Sequence, residues 1–115
     1  MKITVQSIRF NADKKLLDFI QKKVDKLDTF YDRIISGEVY LKLENVEDEA
    51  NKITEIKLML PGIQIFAKEQ CKTFEEATDL AVESLRKQIE KYKQKKTIAA
   101  EAAKKTALLT ATDDF

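Results

Sequence analysis

The sequence predicts a single α+β domain in which two helices cover one face of a four-stranded sheet, in the order β-α-β-β-β-α. The chain of 115 residues has room for one hydrophobic core and no second one. Two long segments carry apolar residues at helical spacing, and four short segments alternate apolar with polar residues. Only two Gly and one Pro occur, which argues against a turn-rich sandwich.

A strand and a helix are predicted in the N-terminal part of the chain. In residues 1–8, Ile3 and Val5 alternate with polar residues, which is typical of a strand. Asp13 is the expected N-cap of a helix that runs to about residue 31. Its apolar residues recur every three or four positions and form one buried stripe: Leu16, Ile20, Val24, Leu27 and Tyr31.

Three short strands are predicted next, because every second residue in each segment is apolar. These residues are Val39, Leu41 and Leu43, then Ile56, Leu58 and Leu60, then Ile63, Ile65 and Ala67. Alternation of this kind buries one face of the sheet and leaves the other open to solvent or a ligand. Pro61-Gly62 predicts a hairpin between the last two strands. The acidic residues 44–49 predict a solvated loop that should repel nucleic acid.

The second helix is predicted to begin with a capping box of Thr73 and Glu76. Its buried stripe consists of Phe74, Ala77, Ala81, Leu85, Ile89 and Tyr92. The apolar period stops at Tyr92 although helix-forming residues continue, so we expect the helix to project beyond the sheet. We therefore expect a folded domain in residues 1–96, and a helical extension followed by a disordered tail in residues 97–115.

The net charge of +1 conceals a basic block near the C-terminus. Residues 86–105 contain eight basic and two acidic residues, a balance of +6, whereas residues 1–85 contain 13 basic and 16 acidic residues, a balance of −3. Cations concentrated in this way repel each other, which favours a polyanionic partner. A well-solvated helix end is the alternative that the charge alone leaves open.

Helical geometry places many of these cations on outward surfaces, at 100° per residue. The first helix presents Lys15, Lys22 and Lys26 in one stripe, and the second presents Lys87, Lys91 and Lys95 in another, with Arg86 and Lys93 on its opposite flank. Cations one turn apart can contact successive phosphates. The first helix alone favours a solvated face, since Asp18 and Asp25 lie near its stripe. The second favours nucleic acid, since its acidic partners end at Glu90.

Other kinds of site receive little support. Tyr40 and Phe66 fall on the open face of the sheet, where stacking on bases or simple edge packing are both open. The chain has no His, so Cys71 lacks a base and cannot complete a thiolate metal site. We therefore expect no catalytic residues, no metal and no cofactor. The chain shows no signal peptide or membrane span, so we expect a cytoplasmic protein.

Two stretches of the sequence resemble a known family. The first is residues 24–34, and the second is residues 77–81 followed by 85–95, with the pattern Leu-Arg-Lys-Gln-Ile-Glu-Lys-Tyr-Lys. They are similar to the short ribosome hibernation promoting factors, also called ribosomal subunit interface or sigma-54 modulation proteins. The resemblance covers about residues 1–96. Thr73 stands where the family usually has an acidic cap, and Thr78 stands where it usually has Ile.

The resemblance implies a fold similar to a double-stranded RNA binding domain, lodged in the decoding channel of the small ribosomal subunit. There the basic helices would face ribosomal RNA and block messenger and transfer RNA. By position, Lys23 and Lys26 match basic positions of the family's first helix, and Lys87, Lys91, Lys93 and Lys95 match those of its second. With the surface from helical geometry, the candidate RNA-binding residues are Lys22, Lys23, Lys26, Arg86, Lys87, Lys91, Lys93, Lys95 and Lys96.

The expected function is therefore a non-enzymatic factor that binds ribosomes and silences translation in stationary phase or stress. Its expected partners are the small ribosomal subunit and its ribosomal RNA, with a second modulation factor for ribosome dimers. We expect no membrane partner, and a monomer when free. Two alternatives stay open: a protein-interaction module that uses the acidic loop and the open sheet face, and a generic binder of double-stranded RNA.

Overall fold

A computed structural model describes residues 1–8, 10–44 and 50–105, with side chains as far as Gln94. The elements are β1 (Lys2–Ile8), α1 (Lys14–Asp25), a 3₁₀ turn (Lys26–Thr29), β2 (Ser36–Leu43), β3 (Lys52–Leu60), β4 (Ile63–Cys71) and α2 (Phe74–Lys105). This order confirms the predicted α+β class. Residues 45–49 of the acidic loop expected at 44–49, and the tail expected at residues 106–115, lie outside the described residues.

The four strands form one mixed sheet in the order β1-β2-β3-β4. β1 pairs with β2 in parallel, and the other two pairs are antiparallel. One row of paired residues crosses all four strands and carries small or β-branched apolar side chains: Val5, Val39, Ile56 and Ala67. The alternation in the sequence had predicted which face is buried, but the strand order depends on pairings distant in the chain.

The core lies between the sheet and the two helices. Ile20 and Val24 of α1, Leu27 of the 3₁₀ turn, and Leu85 and Ile89 of α2 are all fully buried. Burying one such side chain stabilises the fold by about 1.5–3 kcal/mol. These residues confirm the two predicted helical stripes.

Two strand residues that the alternation predicted to be buried are exposed instead. Leu43 is 46% exposed and Ile63 is 45% exposed. Leu43 is the last residue of β2, and Ile63 is the first residue of β4 after the hairpin. Both lie at strand ends, where the helices do not cover the sheet.

Asp13 caps the first helix as predicted, and the Thr73 half of the predicted capping box caps the second. The Leu16 amide donates to Asp13 Oδ1 at 2.8 Å, and the Glu76 amide donates to Thr73 Oγ1 at 3.1 Å. The end of the first helix differs from the prediction, because the α-helix ends at Asp25 and a 3₁₀ turn continues to Thr29. There the Thr29 hydroxyl donates to the Lys26 carbonyl at 2.7 Å and occupies an acceptor that another helical turn would have used.

Two glycines fix the geometry of the sheet. Gly62 has φ of +80°, a left-handed conformation that favours glycine, and it forms the predicted turn between β3 and β4 with Pro61. Gly37 lies so close to β3 that an added Cβ would be 2.9 Å from Leu58 Cδ2. The close approach of β2 to the buried Leu58 therefore depends on a residue without a side chain.

α2 crosses the end of the sheet and continues past it. The Tyr92 hydroxyl donates to the carbonyl of Pro61 in the β3–β4 hairpin at 2.8 Å. The helical backbone then runs on to Lys105, about 20 Å further at 1.5 Å per residue. Within the described ranges, no helix is both long and apolar enough to cross a membrane.

Candidate nucleic-acid interface

Lys87 and Lys91 lie one turn apart on the flank of α2 that faces the edge of the sheet. Both side chains are exposed, and neither ammonium group has a salt bridge to another residue in the described part of the chain. Gln88 fixes this flank against β4, because its amide donates to the Phe66 carbonyl at 2.9 Å. A groove of about 450 Å³ runs along it, lined by Glu69, Leu80, Glu83, Ser84, Lys87, Gln88 and Lys91.

Two cations of the first helical segment are also exposed. Lys22 lies in α1 and Lys26 is the first residue of the 3₁₀ turn. No salt bridge joins either one to a carboxylate among the residues described. Like Lys87 and Lys91, they present exposed positive charges to solvent.

Lys23 has a different environment, in the contact between the two helices. Its ammonium group lies 3.1 Å from Asp79 Oδ1 of α2 and 5.5 Å from the centre of the Phe19 ring. The Lys23 side chain is 34% exposed. This cation joins α1 to α2, so a phosphate would have to compete with Asp79 for it.

Arg86 is the most heavily engaged of the predicted cations. Its guanidinium group donates to Glu83 at 2.5 and 3.2 Å and to Glu90 at 2.7 Å. It also lies over the Phe30 ring, 5.8 Å from the ring centre. The hydrogen bonds between Arg86 and Glu83 hold the pKa of Glu83 below its ordinary value and raise the pKa of Arg86.

Lys93 lies on the same flank of α2 as Arg86. Its ammonium group donates to the Phe30 carbonyl at 2.8 Å, although the side chain is otherwise exposed. Lys95 and Lys96 belong to α2, but their side chains lie outside the described part of the structure.

The structure therefore divides the predicted cations into two groups. Lys23, Arg86 and Lys93 lie where α2 meets α1 and the 3₁₀ turn, and each of them has a protein partner. No salt bridge is formed among the described residues by the other group: Lys22, Lys26, Lys87 and Lys91. Lys87 lies near enough to Glu83 to help lower the pKa of that carboxyl. Within the described ranges, no three Cys, Asp or Glu side chains are grouped closely enough to hold a metal ion. The chemistry available here is attraction of polyanions.

A comparison with protein families finds one whose description is Sigma 54 modulation protein / S30EA ribosomal protein, and it matches residues 3–97. This chain belongs to that family. The match contains β2, β3, β4, all of β1 except Lys2, and the exposed cations Lys22, Lys26, Lys87 and Lys91. It also confirms the resemblance that residues 24–34 and 77–95 had indicated.

Curated proteins and solved structures that this chain resembles are distant from it in sequence, and the solved structures are similar to it in fold. The ribosome hibernation promoting factor of Azotobacter vinelandii is 24% identical over 83% of this chain and 85% of its own length. A ribosomal subunit interface protein from Coxiella burnetii superimposes with a TM-score of 0.73 at 22% identity, covering 82% of this chain and 99% of that one. The N-terminal domain of Protein Y from Thermus thermophilus gives a TM-score of 0.69 at 24% identity, covering 80% and 99%.

Sequence reasoning missed the partners of the engaged cations in this S30EA chain. The spacing of Glu83, Arg86 and Glu90 was visible in the sequence, since i,i+3 and i,i+4 pairs meet on a helix. Phe30 is 56 positions before Arg86 in the sequence, and no local pattern predicts that they meet. Only the packing of the 3₁₀ turn against α2 brings them together.

Proposed function

We propose that this chain is a ribosome-associated hibernation factor that suppresses translation. The proposal is supported by membership of the S30EA family and by relatives named ribosome hibernation promoting factor. The single structural observation that carries it is the pair Lys87 and Lys91, exposed, one turn apart and without a salt bridge to any described carboxylate.

The mechanism we propose is electrostatic contact with ribosomal RNA of the small subunit. Ammonium groups one helical turn apart are separated by about 5–6 Å and can contact neighbouring phosphates along a strand. Each contact releases condensed counterions, so affinity should fall as salt rises. Lys22 and Lys26 add a second exposed pair on the first helical segment. A chain held in this way in the decoding channel would exclude messenger and transfer RNA.

The part of the chain that carries this activity is proposed to be residues 1–96. Residues 97–115 extend α2 and add a tail whose role the proposal does not require. A second modulation factor would supply the contacts needed for ribosome dimers, while the free chain is a monomer. The proposed activity takes place in the cytoplasm and involves no catalysis.

Sedimentation of lysate from starved cells through a sucrose gradient tests the proposal. We expect the protein to migrate with small subunits or whole ribosomes at low salt, and to be released as salt is raised. Free protein at the top of the gradient at both low and moderate salt would contradict ribosome association. Migration with other RNA and not with ribosomes would instead support the generic RNA binder.

A further inference from the structure

Phe30 is held by α2 from two directions. Its ring lies under the Arg86 guanidinium group, and its carbonyl oxygen accepts a hydrogen bond from Lys93. Phe30 directly follows the 3₁₀ turn that begins with Lys26. The two contacts therefore join the end of the first helical segment to the middle of α2, across 56 positions of the sequence between Phe30 and Arg86.

All three nitrogens of the Arg86 guanidinium group donate to carboxylates within the protein. Nε and one terminal nitrogen donate to Glu83, and the other terminal nitrogen donates to Glu90. The two carboxylates hold the guanidinium group in its plane, and the Phe30 ring lies against one of its faces. Two of its five N–H groups are not used in these hydrogen bonds, but a phosphate that approached them would meet the negative charges of Glu83 and Glu90.

We infer that Arg86 is a positioning residue that clasps Phe30 and thereby sets the 3₁₀ turn against α2, and that it is not a phosphate contact. The inference rests on the proposed function for its consequence, which concerns how the exposed cations are arranged. We call the contacts of Phe30 with Arg86 and Lys93 the clasp. The clasp fixes the position of Lys26 relative to Lys87 and Lys91. RNA is then bound by the exposed cations, while the clasp residues Phe30, Arg86 and Lys93 hold the scaffold.

Charge-preserving variants separate this role from phosphate binding. Arg86→Lys keeps the positive charge but loses the planar fork that fits both carboxylates and the ring. Phe30→Leu removes the ring and leaves every charge in place. Lys87→Gln removes one exposed charge and leaves the side chains of Phe30, Arg86 and Lys93 in place. For each variant, the affinity for purified small ribosomal subunits is measured over a range of salt concentrations, and the urea midpoint of unfolding is measured alongside.

The clasp predicts the same behaviour for Arg86→Lys and Phe30→Leu. Both should lower the urea midpoint and lower affinity by a similar factor at every salt concentration, with an unchanged slope of log affinity against log salt. The double variant should lower the midpoint little more than either single one, because both remove the same contact. Lys87→Gln should instead reduce the slope by about 0.7–0.9 and leave the midpoint unchanged.

Two results would overturn the clasp. One concerns the urea midpoint of unfolding: Arg86→Lys keeps the wild-type midpoint, or its effect on the midpoint adds to that of Phe30→Leu. The other is an Arg86→Gln variant whose salt slope falls as much as that of Lys87→Gln, while Arg86→Lys keeps the wild-type slope and affinity. If the wild-type protein does not bind small subunits, the proposed function fails. The clasp is then still tested by whether the effects of Arg86→Lys and Phe30→Leu on the urea midpoint are additive.

Discussion

Two tyrosines at the end of the sheet show how the surroundings of a hydroxyl group decide its contribution to stability. Tyr31 and Tyr92 pack edge to face, with ring centres 5.7 Å apart. The Tyr92 hydroxyl donates to the Pro61 carbonyl, whereas the buried Tyr31 hydroxyl has no hydrogen-bond partner of good geometry in the described part of the chain. Burial, and then the nearby Tyr92 hydroxyl, raise the pKa of Tyr31.

The two hydroxyl groups should therefore respond differently to removal. Tyr92→Phe should lower the free energy of unfolding by about 0.5–1.5 kcal/mol, because the Pro61 carbonyl loses its donor. Tyr31→Phe should change stability less, because the buried Tyr31 hydroxyl has no hydrogen bond of good geometry in the described part of the chain. Urea unfolding of both variants measures the difference. A larger loss in Tyr31→Phe than in Tyr92→Phe would contradict this account.

The Glu83 carboxylate makes stability sensitive to acid. Its hydrogen bonds to Arg86 hold its pKa below the ordinary value of 4.5. The folded state thus binds this proton less readily than the unfolded state. The stabilisation is complete above the unfolded pKa and disappears as pH falls through the lower folded pKa. Urea midpoints from pH 7 to pH 3 should fall less steeply in Glu83→Gln than in the wild type. Parallel profiles would show that the pair has no role in acid stability.

At the scale of elements, the N-caps are the features that local sequence determines most directly. The Thr73 hydroxyl accepts from the Glu76 amide at the start of α2, the longest element of the chain. Thr73→Ala should lower the free energy of unfolding by about 1 kcal/mol, since an N-terminal amide loses its acceptor. Thr73→Ser keeps the oxygen and should stay close to the wild type in the same urea titration. Equal losses in the two variants would assign the effect to the methyl group and not to the cap.

The sequence was sufficient for those features that depend on neighbours along the chain. Asp13, Thr73 and the Pro61-Gly62 turn were predicted because a cap or a turn needs only a few adjacent residues. The alternation and the helical stripes predicted the buried faces for the same reason. The exposure of Leu43 and Ile63 could not be predicted, because it depends on where the helices end above the sheet.

The candidate site was predictable in composition and only partly in arrangement. Phases at 100° per residue located the outward cations of each helix, including Lys87 and Lys91. They could not show that Arg86 contacts Phe30 or that Lys23 contacts Asp79, because these contacts join segments far apart in the sequence. Which lysines are free and which are engaged therefore follows only from the packing of α1 and the 3₁₀ turn against α2.

At the scale of the whole molecule, the basic residues are concentrated on the helix that extends beyond the sheet. The basic block lies on α2, which extends past the sheet and contributes to a longest dimension of 55 Å. Both sides of the domain mix cations with carboxylates: Lys42 pairs with Glu55 on the open face of the sheet, and Arg86 pairs with Glu83 and Glu90 on the helical side. Because the excess of basic residues lies in residues 86–105 of α2, we expect RNA to contact the helical side.

The open sheet face supplies a control of equal charge. Lys2 and Lys68 are exposed on the strands β1 and β4, at positions that alternate with buried or half-buried residues. Replacing both with Glu changes the net charge by the same amount as replacing Lys87 and Lys91 with Glu. All four side chains are exposed, and exposed substitutions usually change stability by no more than about 0.5 kcal/mol. Lys68 pairs across the sheet with Glu55, so the urea midpoint of each double variant is measured alongside its affinity.

The most direct test of the central claim is the affinity of these two double variants for purified small ribosomal subunits at fixed salt. Lys87→Glu/Lys91→Glu should lose binding, because two attractions to phosphate become two repulsions. Lys2→Glu/Lys68→Glu should bind like the wild-type protein. Wild-type binding by the α2 variant together with loss of binding by the sheet variant would contradict the account and assign the interface to the opposite face of the sheet.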